Sequence, residues 1–271
     1  MSPVPSPRRT MAGVLWRHRF LLVQLTRRAF LGRTAGTVLG WGWSLLATAV
    51  QLGTLWVVFA VILGIKVAEP AGVNFGVYLM TGLVPFLALN EALIGAVSLF
   101  RENAVLVQRI RFPLEVLVVS GALGTLLHQG LAFLVVIAVC AVTGTLAPAA
   151  AGWTAGGIGL LLLWALGLAG LAAVGGAFLP DVGQALGVVL QLLFYASPIV
   201  YPLSMVRAPL LRTVIEANPV TVMIQMIRAG LIGAAPPGLA AVTAVAAGGL
   251  AAMAAGAWAV DRWRARIPDV V

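Results

Sequence analysis

Apolar residues in this chain form long runs separated by short polar stretches, and within the runs they do not alternate with polar residues. A helix of about 20 apolar residues crosses about 30 Å of hydrocarbon. The pattern therefore predicts an all-α polytopic membrane protein with six transmembrane helices, near 34–64, 75–99, 114–145, 153–179, 183–201 and 238–259. An outer-membrane barrel is excluded, because its strands would alternate in polarity over about ten residues.

The remaining segments predict the rest of the domain organisation. Residues 1–33 comprise a leader and a basic, aromatic-containing stretch, which predicts an amphipathic interface helix or simply a positive flank of the first span. Residues 34–259 form the six-span domain. Within it, prolines divide 203–237 into pieces too short to cross, which predicts two short re-entrant helices. We expect Gly82 and Pro85 to interrupt the second span, and 260–271 to form a basic tail.

A polar stretch at residues 100–113 separates the second and third spans in a protein that is only 9% charged. Val105, Leu106 and Ile110 recur there at helical spacing, which predicts a small amphipathic helix. Pro113 suits the start of the next helix, and Glu115 would lie in its first turn. Such a helix either lies on the lipid surface or offers a surface to a soluble partner, and we favour the partner.

Composition and charge narrow the class of protein. The 271 residues are 61% hydrophobic with a mean hydropathy of +1.05, well above soluble domains. In a membrane protein a net charge of +9 indicates orientation rather than nucleic-acid binding. With both termini and the polar stretch cytoplasmic, 13 of the 17 Lys and Arg residues lie inside. Seven arginines in the first 33 residues argue against a cleavable signal peptide, and the lone Cys140 excludes an internal disulfide.

The sequence offers little means of driving transport by itself. The only lysine, Lys66, is followed by Val67, so a phosphate-binding GxxxxGK[ST] loop is absent. Glu91 is the one convincing ionisable group within a span, and it is either solvated by a cavity or in contact with a substrate. For His128 we favour hydrogen bonding between helices over a proton relay. The chain is therefore a passive pore or one part of a driven machine, and the polar stretch favours the second.

The sequence resembles the permease subunits of ABC exporters for polysaccharides and polyol phosphates, which move lipid-linked O-antigen, capsule, teichoic acid or galactan. Three positions depart from the family pattern: Thr48 replaces a proline, Phe86 a tryptophan and Pro180 an arginine. The resemblance rests on motifs that occur in the expected order: Phe30-Leu-Gly-Arg-Thr-Ala-Gly-Thr-Val-Leu-Gly40, Trp43-Ser-Leu-Leu46, Gly82-Leu-Val-Pro-Phe86, Asn103, Ile110-Arg-Phe-Pro-Leu-Glu115, Asp181, Ser197-Pro-Ile-Val-Tyr-Pro202, Asn218-Pro219 and Arg228.

The resemblance implies a homodimer in the bacterial inner membrane with two separate ATPase subunits, which bind the ATP and Mg. This chain would then hold no cofactor, metal or catalytic residue. The implied substrate is an undecaprenyl-diphosphate-linked glycan, and membrane lipids surround the spans. We expect no nucleic-acid partner. The implied ATPase-coupling residues are Arg101, Glu102, Asn103, Arg109, Arg111 and Phe112.

Two further sets of residues are implied along the transport path. Arg27, Arg28 and Arg33 would bind the lipid diphosphate at the entry, although ordinary pairing with anionic headgroups explains them equally well. Four aromatic residues could offer sugar-stacking surfaces along a pore, although an interfacial belt or core packing is the favoured role for any single one: Trp41, Trp43, Trp56 and Phe86. The pore or gate set is Trp41, Trp43, Phe86, Glu91, Tyr201, Asn218 and Arg228.

Three other functions remain open. The first is a permease for a drug or a small lipid. The second is a membrane-embedded transferase, which is disfavoured because the sequence shows no acid pair or metal-ligand cluster at a membrane face. The third is a passive channel, which is disfavoured because the spans show no repeated polar face.

Overall fold

The structure is a computed structural model that describes residues 11–32, 41–64, 72–108 and 112–271. All regular elements within these ranges are helical. The helices are α1 (Met11–Arg17), α2 (Arg19–Gly32), α3 (Trp41–Trp56), α4 (Phe75–Glu102), α5 (Ala104–Val107), α6 (Leu114–Val142), α7 (Ala151–Phe178), α8 (Val182–Tyr195), α9 (Pro209–Ala217), α10 (Pro219–Ile232), α11 (Leu239–Trp263) and α12 (Ile267–Val270).

Four of these helices are long and apolar enough to cross a membrane: α4, α6, α7 and α11. The expected polytopic helical class is therefore confirmed. The first predicted span overlaps α3 and a π-helical segment at Val57–Ile62, and residues 34–40 of that prediction lie outside the described residues. The fifth is the 14-residue α8, which ends before the 196–202 turn that we had included in it.

Two details differ from the expected boundaries. The interruption at Gly82 and Pro85 is not seen, since α4 continues through both residues, and Pro85 is buried. A proline is tolerated inside a membrane helix when neighbouring elements satisfy the freed backbone groups. The basic segment 260–271 is not a free tail, because α11 extends to Trp263 and α12 folds back against the bundle with Ile267 buried.

We name the two ends of the bundle after Asn74, which directly precedes α4, and Glu102, which is the last residue of α4. The Asn74 end holds the start of α4, where the Asn74 side chain accepts a hydrogen bond from the backbone N–H of Gly76. The Glu102 end holds the end of α4.

Helices α7 and α11 run parallel toward the Glu102 end and are in close contact at two glycines. A Cβ on Gly170 would lie 3.0 Å from the Cα of Gly256. Such close approach needs small residues.

Buried apolar side chains form two clusters. The larger one occupies the middle of the bundle and the Asn74 end, and the smaller one lies at the Glu102 end. Most of α10 is buried in the larger cluster, although the helix has only 14 residues. The two short helices expected within 203–237 are thus present as α9 and α10, separated by Asn218.

Candidate functional site

A buried arginine lies at the Asn74 end. Arg228 is 3% exposed, and its guanidinium donates hydrogen bonds to four uncharged oxygens. Nη1 donates to the carbonyl of Pro198 at 2.6 Å, and Nη2 donates to the carbonyls of Tyr78 at 3.0 Å and Ile199 at 3.2 Å. Nε donates to the Thr81 hydroxyl at 3.4 Å. One side chain therefore joins α4, the 196–202 turn and α10.

The surroundings of the guanidinium are shaped to hold it. Its central carbon lies 3.5 Å from the ring centroid of Tyr78, where the face of the ring attracts a cation. Gly82 leaves space beside the guanidinium, since a Cβ at that position would lie 2.6 Å from Nη2 of Arg228. This contact explains why a glycine occurs one helical turn after Tyr78. Carbonyl dipoles and an aromatic face together compensate the buried positive charge.

Asn218 fixes the start of α10 beside the same turn. Its Oδ1 accepts a hydrogen bond from the backbone N–H of Val220 at 3.0 Å, which is a helix N-cap. Its Nδ2 donates to the Ser197 hydroxyl at 3.0 Å and to the Ala196 carbonyl at 3.2 Å. Asn218 therefore connects the junction between α9 and α10 to the end of α8.

Tyr201 connects the 196–202 turn to α8 and α4 by hydrogen bonds. Its hydroxyl donates to the carbonyl of Tyr195 at 2.9 Å, and its own carbonyl accepts a hydrogen bond from the Tyr78 hydroxyl at 3.3 Å. The structure thus brings together three of the predicted gate residues, Tyr201, Asn218 and Arg228.

Two residues of this cluster, Tyr78 and Thr81, were missed by the sequence interpretation because a tyrosine and a threonine in an apolar run carry no distinctive signal. Phe86, another predicted residue, lies deeper along α4 and packs on Phe194 with ring centroids 5.4 Å apart. A cavity of about 730 Å³ lies beside the buried arginine and also contacts Arg212, Glu216 and Gln225.

The Glu102 end presents the predicted coupling residues. Arg101 and Glu102 are exposed on the last turn of α4, and the Asn103 side chain donates to the carbonyl of Leu99 at 2.9 Å where that helix ends. Phe112 packs against the smaller apolar cluster. Arg109 and Arg111 lie outside the described residues.

The helix predicted in this stretch is a single turn in the described residues, α5. Val105 is 72% exposed on it, whereas Val107 is 2% exposed and packs into the smaller cluster. One side of α5 is therefore anchored in the bundle, and the other side carries an exposed apolar residue beside Arg101 and Glu102.

The predicted entry arginines lie on or beside α2, which packs along α6. A Cβ on Gly124 would lie 2.6 Å from the Cβ of Ala29, so the two helices are in close contact there. Arg27 and Arg28 are exposed, and Arg33 lies outside the described residues. Arg28 also lines a cavity of about 450 Å³ between α2, α4 and α6, which reaches Glu102.

The outer face of α1 and α2 combines aromatic rings with arginines. Trp16 and Phe20 are both exposed, and the guanidinium carbon of Arg19 lies 5.3 Å and 4.8 Å from their ring centroids. A helix that lies at a membrane surface typically has this composition.

The remaining predicted pore residues are spread along the bundle. Glu91 on α4 accepts a hydrogen bond from Gln129 on α6, and Trp43 is exposed on α3. Trp41 begins α3, and its side chain lies outside the described part of the chain. His128 is buried, and its ring meets that of Phe30 edge-on at 6.3 Å.

A set of polar residues that the sequence interpretation did not single out lines a cavity of about 200 Å³ between α3, α4 and α8. Gln191 and Tyr195 are exposed one helical turn apart on α8, opposite Gln51 of α3 and Asn90 of α4. Within the described ranges, no group of three or more His, Cys, Asp or Glu residues could hold a metal ion.

Comparisons with known proteins identify the family of this chain. Residues 21–232 match the sequence profile of a family described as ABC-2 type transporter. The chain is also 24% identical over 213 residues to the O-antigen export system permease protein RfbA of Myxococcus xanthus. That alignment covers 76% of this chain and 77% of the relative.

Proposed function

The chain belongs to the ABC-2 type transporter family, and we propose that it is the membrane-spanning permease subunit of an ATP-driven exporter of a lipid-linked polysaccharide. The exposed side of α5 carries this proposal, because it offers a soluble partner a fixed contact between two long membrane helices. The polysaccharide cargo is supported by the similarity to a permease of an O-antigen export system.

In this proposal α3, α4, α6, α7, α8 and α11 cross the bacterial inner membrane, and α9 and α10 form a re-entrant pair. The Glu102 end and both termini are cytoplasmic. The distribution of positive charge supports this orientation, because only Lys66, Arg207, Arg212 and Arg228 fall on the other side. The short α8 would extend about 21 Å, and the 196–202 turn would complete its crossing.

The energy for transport would come from two copies of a separate ATPase subunit, which bind ATP and Mg. Each ATPase would contact α5 and the end of α4 through Arg101, Glu102 and Val105. We expect Arg109 and Arg111 to contribute as well. Asn103 and Phe112 would hold this surface in place. Closure of the ATPases on ATP would move α5, and the long α4 and α6 would carry that movement into the membrane.

The glycan would pass between two copies of the chain. The exposed polar residues of α8, Gln191 and Tyr195, support this path, because polar groups facing lipid are costly. The diphosphate of an undecaprenyl-linked substrate would first meet Arg27, Arg28 and Arg33 by charge-assisted hydrogen bonds. Arg28 is well placed for this, since it lines the cavity beside Glu102.

The Arg228 cluster would serve as the gate on the periplasmic side. Its hydrogen bonds connect α10 with α4 and the 196–202 turn, so opening there requires these elements to move together. Tyr201 and Asn218 extend the same network to the ends of α8 and α9. Such a network favours two discrete states over gradual deformation.

A small lipid or drug is the second candidate cargo, and one cavity favours it. A space of about 550 Å³ between α3, α4 and α6 is lined almost entirely by apolar side chains, among them Leu52, Trp56 and Leu79. An apolar cavity of this size suits a hydrophobic molecule. Export assays with a lipid-linked glycan and with a hydrophobic dye separate the two cargoes.

The proposal is tested by expressing the chain with the ATPase of a neighbouring gene. We expect the two to purify together and to export a lipid-linked glycan in the presence of ATP. Reversing Arg101, Arg109 and Arg111 to glutamate should abolish both association and export. The matched control reverses Arg207 and Arg212 at the other end of the bundle and should retain association with the ATPase.

Insertion of each variant is checked with a Val105→Cys reporter, which an impermeant thiol reagent should label only from the cytoplasmic side. Cys140 is buried and gives little background. Normal export by the triple variant would exclude the coupling role. Labelling of Val105→Cys from the periplasmic side would overturn the topology.

A further inference from the structure

The last eight described residues, 264–271, contact the polar stretch from both of its sides. We call these residues the C-terminal segment. Directly after α5, the Gln108 side chain donates a hydrogen bond to the backbone oxygen of Val271 at 2.8 Å. In the first turn of α6, the Glu115 carboxylate forms an ion pair with the guanidinium of Arg264. We call the described residues from α5 to this first turn, 104–108 and 112–115, the coupling loop. One short segment therefore contacts the coupling loop at two points.

Apolar packing strengthens both attachments. Ile267 on α12 is completely buried and lies in the same cluster as Val107 on α5 and Leu114 at the start of α6. Movement of α5 away from α12 would expose these side chains to water, which is unfavourable. The loop and the C-terminal segment therefore form one packed unit.

The ion pair adds a geometric restraint. Glu115 is 4% exposed, so its carboxylate has lost most of its contact with water. A buried carboxylate separated from its partner is strongly disfavoured, so Arg264 must follow any shift of α6 in this region. Arg264 lies directly after α11, and any movement of the loop therefore reaches α11 by this route.

From α11 the connection continues to α7. Trp263 at the end of α11 packs on Phe178 at the end of α7, with ring centroids 5.0 Å apart. Further along, Gly170 and Gly256 bring the two helices into close contact. Two helices that touch this closely move together, since packed interiors transmit displacement with little compression.

We propose that the C-terminal segment positions the coupling loop and transmits its movement to α11 and α7, as a second route beside α4 and α6. Gln108, Glu115, Arg264 and Ile267 are then positioning residues for transport. This inference rests on the proposed function, because it requires an ATPase that acts on α5.

The first test weakens the contact and leaves Arg101, Glu102 and Val105 unchanged. The double variant Gln108→Ala, Ile267→Ala is expressed with the ATPase, and glycan export and ATP hydrolysis are measured on the same preparation. We expect co-purification with the ATPase to persist, whereas export per ATP hydrolysed falls about tenfold, a typical size for coupling between sites. The control Arg262→Ala changes an exposed residue of the same region and should keep the wild-type ratio.

The second test does not depend on weakening the fold. Cysteines at Gln108 and Val271, in a Cys140→Ala background, are joined by a short bifunctional thiol reagent. Because the inference makes loop and segment one moving unit, the cross-linked complex should export at the rate of the unlinked one. Loss of export on cross-linking, or an unchanged ratio in the double variant, would overturn the inference. Failure of the wild-type chain to bind any ATPase would instead contradict the proposed function.

Discussion

At the Asn74 end the bundle buries an arginine among uncharged acceptors, whereas at the Glu102 end it exposes an arginine, a glutamate and a valine. Arg228 donates all of its hydrogen bonds within the protein and joins three elements. Arg101, Glu102 and Val105 face outward, and their support comes from buried neighbours such as Val107. An arginine is therefore buried and bonded within the protein at one end, and exposed at the other.

The difference follows from the cost of burying charge. A guanidinium removed from water must be compensated at every donor, so its position is fixed by several partners at once. An exposed charge has water as an alternative partner and adds little to stability. Val105 is exposed next to two charged residues, and in the proposed function this surface would contact the ATPase. We therefore expect substitutions at the two ends to affect different properties.

The largest effect on stability is expected for Arg228→Ala. The substitution leaves the carbonyls of Tyr78, Pro198 and Ile199 without their donor, at about 1–3 kcal/mol for each buried group. The free energy of unfolding should fall by roughly 3 kcal/mol or more. Thermal unfolding in detergent measures this change. Arg228→Lys should restore only part of the loss, because an ammonium lacks the planar fork that reaches the separate acceptors.

The matched control is Arg212→Ala at the same end of the bundle. Arg212 is exposed and pairs with Glu216 one helical turn away, an interaction of about 0.5 kcal/mol. If the Arg212 and Arg228 variants unfolded at the same temperature, the claim that the buried arginine stabilises the protein more than the exposed one would be wrong.

The sequence interpretation identified much of the Arg228 cluster but not its geometry. The motifs of the family that this sequence resembles include Tyr201, Asn218 and Arg228. Another of these motifs contains Gly82, which lies against the Arg228 guanidinium. Nothing in the sequence placed Pro198 and Ile199 as acceptors, because a backbone carbonyl is available at any residue. Only the tertiary packing determines that the carbonyl of Pro198 accepts a hydrogen bond from Arg228, 30 residues later in the chain.

At the Glu102 end the polar stretch was recognised from its charge, and its position between two spans was correct. The attachment of the C-terminal segment was not foreseen. Arg262, Arg264 and Arg266 resemble an ordinary positive flank, and the partner of Arg264 lies 149 residues earlier in the chain. Glu115 was interpreted through the helix dipole alone, and neither its burial nor its ion pair with Arg264 was foreseen.

A smaller effect on stability is expected for Gly82→Ala, which tests how tightly the Arg228 guanidinium is packed. The new Cβ would lie 2.6 Å from Nη2 of Arg228, and the guanidinium cannot retreat without losing hydrogen bonds. Overpacking of this kind costs about 1–3 kcal/mol. Thermal unfolding again provides the measurement.

Gly130→Ala on α6 is the control for this substitution, because no atom lies within 4 Å of the added Cβ. Alanine is the better helix former, so this control should leave stability unchanged or raise it by up to about 1 kcal/mol. Equal melting temperatures for Gly82→Ala and the wild type would show that the guanidinium is loosely held.

The smallest effect on stability is expected for Val105→Ser, although its effect on the partner should be clear. Because Val105 is 72% exposed, the free energy of unfolding should change by less than about 0.5 kcal/mol. Loss of about 1 kcal/mol of binding would weaken the affinity for the ATPase roughly fivefold. Titration of the purified ATPase against the detergent-solubilised chain measures that affinity. Val142→Ser changes a valine at the Asn74 end that is 89% exposed, and it should leave the affinity unchanged. If both serine variants bound the ATPase as the wild type does, the exposed side of α5 would not be its docking surface, and the functional contrast between the two ends would be lost.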